Sequence, residues 1–403
     1  RKHVILAPTG IAAINAGGST LHSFFKLPFH PLLPNDTRYS VRNMRKTLRY
    51  TSEKCKLLRE VELIIIDEIS MVRADIIDFI DKVLRVYNRN MREPFGGKQL
   101  LLVGDIYQLE PVVREEDRQL LAPFYHSQFF FDAKVFASLQ LVSIELTKVY
   151  RQNNPTFINL LDHIRSSHVT TADLEMLNRQ VGADIDTSDS SLSITLSTRR
   201  DTVDYINSTR LAELDGDATI FDGTIEGDFP ENNLPSPLKL ELKVGAQVLF
   251  VRNDKEKRWV NGTLGTVTGF SLDVEDSKDT IIYVRTEDGV EFDVEQEIWS
   301  NIKYTFNEKE QKIEESVLGT FCQFPLRLAW AITVHKSQGL TFRNVKIDFS
   351  GGVFAGGQTY VALSRCRSLE GISLKSPIRR EDVFVKAEVS RFAKNYNLSL
   401  IHI

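Results

Sequence analysis

Leu63-Ile64-Ile65-Ile66-Asp67-Glu68 is the stretch that decides the fold. Its apolar run is too short for a helix and leaves no polar face for water, so it reads as a fully buried strand. Gln99-Leu100-Leu101-Leu102-Val103, ending in Gly104-Asp105, repeats the pattern. His3–Ala7, ending at Pro8-Thr9-Gly10, opens the chain in the same way. Apolar strands without alternation belong to a parallel sheet covered on both faces. Ile11–Ala16 and Ile76–Val86 carry helical apolar spacing between them. The fold class read from this is α/β, a doubly wound parallel sheet with its ligand at the carboxyl ends of the strands.

Residues 27–54 interrupt the alternation with Pro28, Pro31 and Pro34, then a basic stretch of Arg38, Arg42, Arg45, Lys46 and Arg49. They read either as a small inserted subdomain or as a long surface loop with a solvated basic helix. Leu192–Ser197 starts a second sheet. Residues 215–233 read as a loop with six acids and no base. From 245 to 300 the character changes to short strands with hairpin signals at Asn261-Gly262 and Asp288-Gly289. This reads as a small β-barrel inserted into a second α/β domain, which resumes at about Leu326 and ends near Lys394.

At roughly 100–200 residues per domain, 403 residues suggest two to four domains. A hydrophobic content of 42% with 26% charged residues excludes disorder, collagen and coiled coil for the bulk of the chain. No apolar run approaches the roughly 20 residues of a membrane span. Cys55, Cys322 and Cys366 are far apart, which argues against a disulfide framework or structural zinc and for a reducing compartment. The net charge of −4 does not advertise a nucleic-acid binder. It leaves room for a single-strand groove, which needs only local charge, backbone donors and aromatic faces.

Five groups of residues can carry chemistry. Asp67 and Glu68 sit where a strand delivers two carboxylates to a sheet edge. They read as a Mg²⁺ holder acting through water and a water-activating acid, or as a solvated strand end. Gln108 follows the next strand and can sense a terminal phosphate without a charge's desolvation cost; the alternative is a loop amide that caps backbone. Arg151 and Arg365 each follow an apolar segment, and a guanidinium fork suits a phosphoryl group in transfer; either alone also fits a surface ion pair. Thr333, His335, Lys336, Ser337 and Gln338 form a donor-dense cluster suited to a sugar-phosphate backbone. Thr9, Gly10 and the Ser19–Phe25 run offer hydroxyls and imidazole beside aromatics, although Phe24 and Phe25 taken singly fit core better than base-stacking platforms.

In chain order the segments read APTGIAA (7–13), STLHSFF (19–25), IIIDEIS (64–70), GDIYQLEPV (104–112), LTKVYRQ (146–152), LAWAITVHKSQGLT (328–341) and YVALSRCRS (360–368). Together they resemble the motifs of superfamily-one helicases of the 5′→3′ branch. The stretch from Asp78 to Leu100, with Pro94-Phe95-Gly96-Gly97, is similar to the signature segment of the Pif (petite integration frequency) helicases. RecD-like helicases share most of the other motifs.

The resemblance implies two RecA-like motor domains. The first spans 1–185, with a strand-separating wedge at 27–54. The second spans 186–244 and 322–403, with an SH3-like barrel inserted at 245–321. It implies ATP and Mg²⁺ as the nucleotide and its metal, with Asp67 holding Mg²⁺ through water. Glu68 would activate water and Gln108 would sense the γ-phosphate. Arg151 and Arg365 would be arginine fingers, one per motor domain, and Gly339 joins the nucleotide-contacting set. Thr9, Gly10, His22, Ser23, Phe24, Thr333, His335, Lys336 and Ser337 are the implied DNA contacts. The partners implied are single-stranded DNA and single-strand/duplex junctions, engaged by a monomer. The expected setting is the cytoplasm of a bacterial or phage host, or the nucleus or mitochondrion of a eukaryote.

The family's phosphate loop, GxxxxGK[ST], is absent from the sequence. Gly17-Gly18-Ser19-Thr20 lacks the lysine, and Gly97-Lys98 is followed by Gln99. Either the loop lies upstream in a longer polypeptide, which the abrupt opening on a core strand favours, or the molecule is a pseudo-ATPase. Two rivals follow: a single-strand-binding module that no longer hydrolyses ATP, and an ATPase that works without DNA. Keeping Glu68 and both arginines counts against the first, and the His335–Gln338 cluster with the barrel counts against the second.

Overall fold

The computed structural model describes residues 2–185, 191–231, 234–271 and 280–396. The boundary at 186, the end of the acidic stretch at 232–233, barrel residues 272–279 and the tail 397–403 lie outside the described residues. Leu63–Ile66 is a central strand of a four-stranded parallel sheet. Its order is Ser19–Thr20, His3–Ala7, Leu63–Ile66, Gln99–Leu102. Val4, Leu6, Ile64 and Ile66 are fully buried. Helix Ala74–Asn88 buries Ile77, Ile80, Val83, Leu84 and Tyr87 in the same core. Because the strands are parallel, their carboxyl ends bring Thr9, Asp67 and Asp105 to one rim.

Gln99–Leu102 departs from the expectation of a doubly covered strand. Among the described residues no strand pairs with its outer edge, and Leu101 and Val103 stay 49% and 43% exposed. Residues 141–150 have no regular structure, and Val142, Ile144 and Leu146 are bare to solvent.

The segment 27–54 packs onto the core of the first domain. Leu27, Leu32, Tyr39, Met44 and Leu48 are buried in the first core. Tyr39 meets Phe79 edge-on at 5.1 Å, and Asp75 accepts from the Leu32 amide at 2.9 Å. The apolar residues between its prolines and arginines supply this packing, while Arg42, Lys46 and Arg49 remain exposed.

The second sheet is also parallel, in the order Ala331–Thr333, Ser193–Ser197, Asn344–Asp348, Ile372–Leu374. Its core takes in Phe157, Leu160, Leu161 and Ile164 from helix Pro155–Arg165. Gln152 donates to the carbonyls of Ser364 and Cys366 at 3.0 and 2.9 Å. The residues from about 151 to 185 therefore pack with the second domain, which corrects the boundary drawn at 185. Burial decides this: the apolar face of Pro155–Arg165 is covered by Val361, Leu363 and their neighbours.

A five-stranded antiparallel sheet runs Glu291–Val294, Ile281–Thr286, Leu264–Ser271, Gln247–Phe250, Leu326–Leu328. Leu326–Leu328 thus closes the barrel region rather than reopening the motor domain. The acidic stretch is not all loop. Its Thr219–Asp222 pairs with Lys239–Leu242, and Thr224–Gly227 pairs with the hairpin strand Lys312–Gln323. The β-rich insert therefore begins before residue 245. The hairpin of Glu297–Asn307 and Lys312–Gln323 reaches the first domain. There Tyr304 enters the core, its Oη lies 3.4 Å from both backbone polar atoms of Ile5, and Lys56 pairs with Glu308 at 2.5 Å. Among the described residues no helix is long and apolar enough to cross a membrane.

The two faces of the first sheet make a direct test. Ile64→Ala removes a fully buried side chain from a central strand and is expected to cost about 2–5 kcal/mol in urea unfolding of this chain. Leu101→Ala, on the open edge, is expected to stay within about 1 kcal/mol.

Candidate nucleotide cleft and nucleic-acid interface

Asp67 continues the central strand, its amide donating to the Leu6 carbonyl at 2.9 Å. Its Oδ1 accepts from the Glu68 amide at 2.9 Å. Glu68 adopts φ +51°, a left-handed turn that stops the strand at this point. Burial raises the Glu68 carboxyl above its ordinary range, with Asp67 and Asp105 adding and Arg365 opposing. A carboxylate with a raised pKa beside a second acid is a better proton acceptor than a solvated one.

Gln108 lies in the loop that follows the edge strand. Its Nε2 donates to Asp105 Oδ2 at 3.2 Å, and its Oε1 lies 3.4 Å from Gln338 Nε2 of the second domain. The second domain approaches closely here. Gly357 has φ +80°, and a Cβ on it would sit 2.5 Å from the Tyr107 carbonyl oxygen, so a side chain would push the domains apart.

Arg365 ends helix Gln358–Ser364 and is 1% exposed. Its Nε donates to the Val361 carbonyl at 2.9 Å, and its Nη1 to those of Ser337 and Leu340 at 3.3 Å. Among the described residues no carboxylate forms an ion pair with it. Its pKa is pushed down, first by burial and then by Arg151, with Tyr360, Asp105 and Glu68 opposing. Burial likewise lowers Arg151, whose Nη1 donates to the Ser364 carbonyl at 3.4 Å. Both arginines are therefore held by the second domain, which corrects the expectation of one per domain. Gly339 takes φ +76° beside this cleft with open space around it.

The cleft thus joins Asp67, Glu68 and Gln108 from the first domain to Arg151, Arg365 and Gln338 from the second. Sequence reasoning missed Asp105, Tyr360 and Gln152 in the cleft, although each stands within five residues of one it chose. It placed Gln338 with the backbone-gripping cluster, whereas the side chain faces Gln108.

The proposed nucleic-acid contacts divide between two places. Thr9 Oγ1 accepts from the Ala12 amide and caps helix Gly10–Ala16, where Gly10 is buried. Ser23 is exposed. His22 stacks on Phe29 with ring centroids 5.1 Å apart, and Phe29 is 85% exposed. In the second domain His335 faces Phe354 at 6.4 Å, and Phe354 is also exposed. Burial lowers both histidines; Arg73 adds to the effect at His22 and Asp75 opposes it. At neutral pH each is an uncharged ring beside a bare phenyl face. The two phenylalanines carry no polar signal and were missed in the sequence.

Two expected contacts are corrected. Phe24 is 3% exposed, edge-on to Phe25 at 4.8 Å and near Tyr304, so it is core and has no free face for a base. Ser337 is fully buried and donates to the Val334 carbonyl at 2.7 Å, which leaves no hydroxyl for a phosphate. Thr333 Oγ1 accepts from the Lys336 amide at 3.3 Å and fixes the turn that presents Lys336 to solvent. The Lys336 amine is pushed down to about 8 by burial, Arg327 and Arg200, against Asp204. Three cations near one another favour an anion there.

Two parallel-sheet domains sharing a cleft of acids, an amide and arginines define a two-domain motor architecture. Comparison with known proteins fixes the family. Residues 1–175 match the model of the PIF1-like helicase, and residues 230–270 that of the DNA helicase Pif1 2B domain. The ATP-dependent DNA helicase Pif1 of Bdellovibrio bacteriovorus is 32% identical over 397 residues, covering 97% of this chain and 82% of the relative. The rat ATP-dependent DNA helicase PIF1 is 36% identical over 382 residues, covering 92% of this chain and 54% of the relative. The crystal structure of a Bacteroides Pif1 in complex with ADP-AlF4 superposes with a TM-score of 0.88 at 42% identity, covering 98% of this chain and 87% of that one. A Bacteroides Pif1 bound to single-stranded DNA gives 0.67 at 41% identity, covering 98% and 88%. The chain belongs to the PIF1-like helicase family. It spans about half the length of the mammalian relative.

Lys336 gives a signed pH test. If single-stranded DNA binds at this cluster, only the ammonium form of Lys336 can hold a phosphate, so affinity for single-stranded DNA is expected to fall as pH rises through about 8, and Lys336→Ala should remove that fall. The same substitution should lower the salt slope of binding by roughly 0.7–1, one phosphate contact. Fluorescence anisotropy across pH and salt measures both.

Proposed function

We propose that this chain is the two-domain core of an ATP-driven motor that moves 5′→3′ on single-stranded DNA and opens duplex or structured DNA. The observation that carries the proposal is Arg365, a buried guanidinium in ion-pair contact with no carboxylate among the described residues, with Glu68 and Asp105 acting on it from the first domain. A phosphoryl group between the domains would supply the close anionic partner that Arg365 lacks among the described residues. The Bacteroides relative's complexes with ADP-AlF4 and with single-stranded DNA support the same reading.

In this reading Glu68 accepts the proton of the attacking water, and Gln108 orients that water or the γ-phosphate. Arg151 and Arg365 offset charge developing on the transferred group. Both belong to the second domain, so hydrolysis needs the domains together. Asp67 would hold Mg²⁺ through its water shell; one of its carboxylate oxygens accepts from the Glu68 amide. Among the described residues no cluster of three metal-ligating side chains exists, as fits an ion held mainly by water and phosphate. When bound, that ion supplies charge neutralisation at the phosphates.

The phosphate loop would arrive on one more parallel strand along the open edge of Gln99–Leu102, covering Leu101 and Val103. Its carboxyl end would then fall beside Asp67 and Asp105, where such loops bind phosphate. His22 with Phe29 and His335 with Phe354 would seat bases, and Lys336 a phosphate. Opening and closing of the cleft would move these two grips relative to each other. Contacts of this kind predict weak sequence preference.

Glu68→Gln tests the assignment in the full natural polypeptide. It is expected to bind ATP and single-stranded DNA normally and to slow DNA-stimulated hydrolysis about 10²–10⁴-fold. Turnover near that of the unmodified protein removes Glu68 from the mechanism.

A further inference from the structure

The last described helix, Ala387–Asn395, follows the second domain in sequence but rests on the first. Val389 and Ala393 are buried against Tyr107 and Phe129, with Ile106 and Tyr360 packed beside them. Phe392 stacks flat on Phe131 at 4.4 Å and meets Phe130 edge-on at 5.8 Å. Phe131 in turn stacks on Phe129 at 5.2 Å. At the N-cap of the helix, Lys386 approaches the buried carboxylate of Glu110 at 3.9 Å.

Tyr107 is the immediate neighbour of Gln108. Its ring is closed in from the second domain by the Arg165 guanidinium at 4.8 Å and by the Val389 face. On the other side of Gln108, Leu109 is fully buried in the second core. The loop that carries the amide is thus gripped on both flanks by residues outside its own domain. Helix Ala387–Asn395 supplies one of those grips and is itself anchored to the first domain through the Phe392 column.

We propose that helix Ala387–Asn395 is a strap that positions the Asp105–Gln108 loop for hydrolysis, with Val389 and Phe392 as positioning residues. The proposal rests on the reading of Gln108 as a nucleotide-facing group. A side chain that must meet the terminal phosphate tolerates little displacement, and a misplacement of about 1 Å can cost about 10²-fold in rate. Val389 holds the loop directly, and Phe392 keeps the helix in place.

The test uses the full natural polypeptide. Phe392→Ala and Val389→Ala are compared with the conservative Phe392→Tyr and Val389→Ile. Both alanine variants are expected to lower kcat for DNA-stimulated ATP hydrolysis by about tenfold or more, while KM for ATP and affinity for single-stranded DNA stay within about twofold. The conservative variants are expected to restore kcat. Amide hydrogen exchange at 105–109 is expected to quicken in the alanine variants, with Ala74–Asn88 unchanged. A kcat within twofold of the unmodified protein overturns the proposal. So does a parallel fall of kcat, KM and DNA affinity, which marks general loosening. If the unmodified protein does not hydrolyse ATP, the motor reading fails, and the exchange data still decide the strap: unchanged protection at 105–109 overturns it.

Discussion

The guanidinium of Arg365 is buried among backbone carbonyls, and among the described residues no carboxylate is in ion-pair contact with it. Such a charge is costly to hold and is kept where something transient balances it. Most of the surrounding structure serves to hold it there. Helix Gln358–Ser364 carries it, Gln152 and Arg151 tie its carboxyl-terminal turn to the segment leaving the first domain, and Gly357 lets that helix press on the Gln108 loop. The acids of the first sheet then face it from strand ends that parallel pairing has brought to one rim. The cleft is therefore a property of both domains at once.

The proposed nucleic-acid face follows a different logic. Each domain presents an uncharged histidine beside an exposed phenylalanine, and the second adds a lysine among arginines. An acidic chain can hold a polyanion this way, because the positive charge is local. The hairpin arm that places Tyr304 in the first core also ties the β-rich insert to that face. The superposition is better with the ADP-AlF4 form of the Bacteroides relative than with its DNA-bound form, at nearly equal identity and coverage.

Much of this was legible in the sequence. Unbroken apolar runs announced parallel strands, and the carboxylates, amides and arginines after them marked the rim. Three things were not legible. Phe24 and Ser337 look like surface contacts in a motif, but only packing shows them buried. The division near residue 151 depends on which core covers Phe157 and Leu160, which no local pattern states. Phe29, Phe354 and the strap residue Phe392 are ordinary aromatics until three-dimensional neighbours give them a role. Of the cleft itself, the residues chosen were acids and an amide just past strand ends and two arginines past a helix and an irregular segment, and those missed lie within a few residues of them.

The central claim is that one terminal phosphate is read by both domains together. The most direct measurement is photolabelling of the full natural polypeptide with an ATP analogue that carries its reactive group on the γ-phosphate, followed by peptide mapping. Labels divided between the peptides of Glu68 and Gln108 and those of Arg151 and Arg365 are the predicted result. Labels confined to the first domain, with the second untouched under saturating nucleotide and single-stranded DNA, would contradict it.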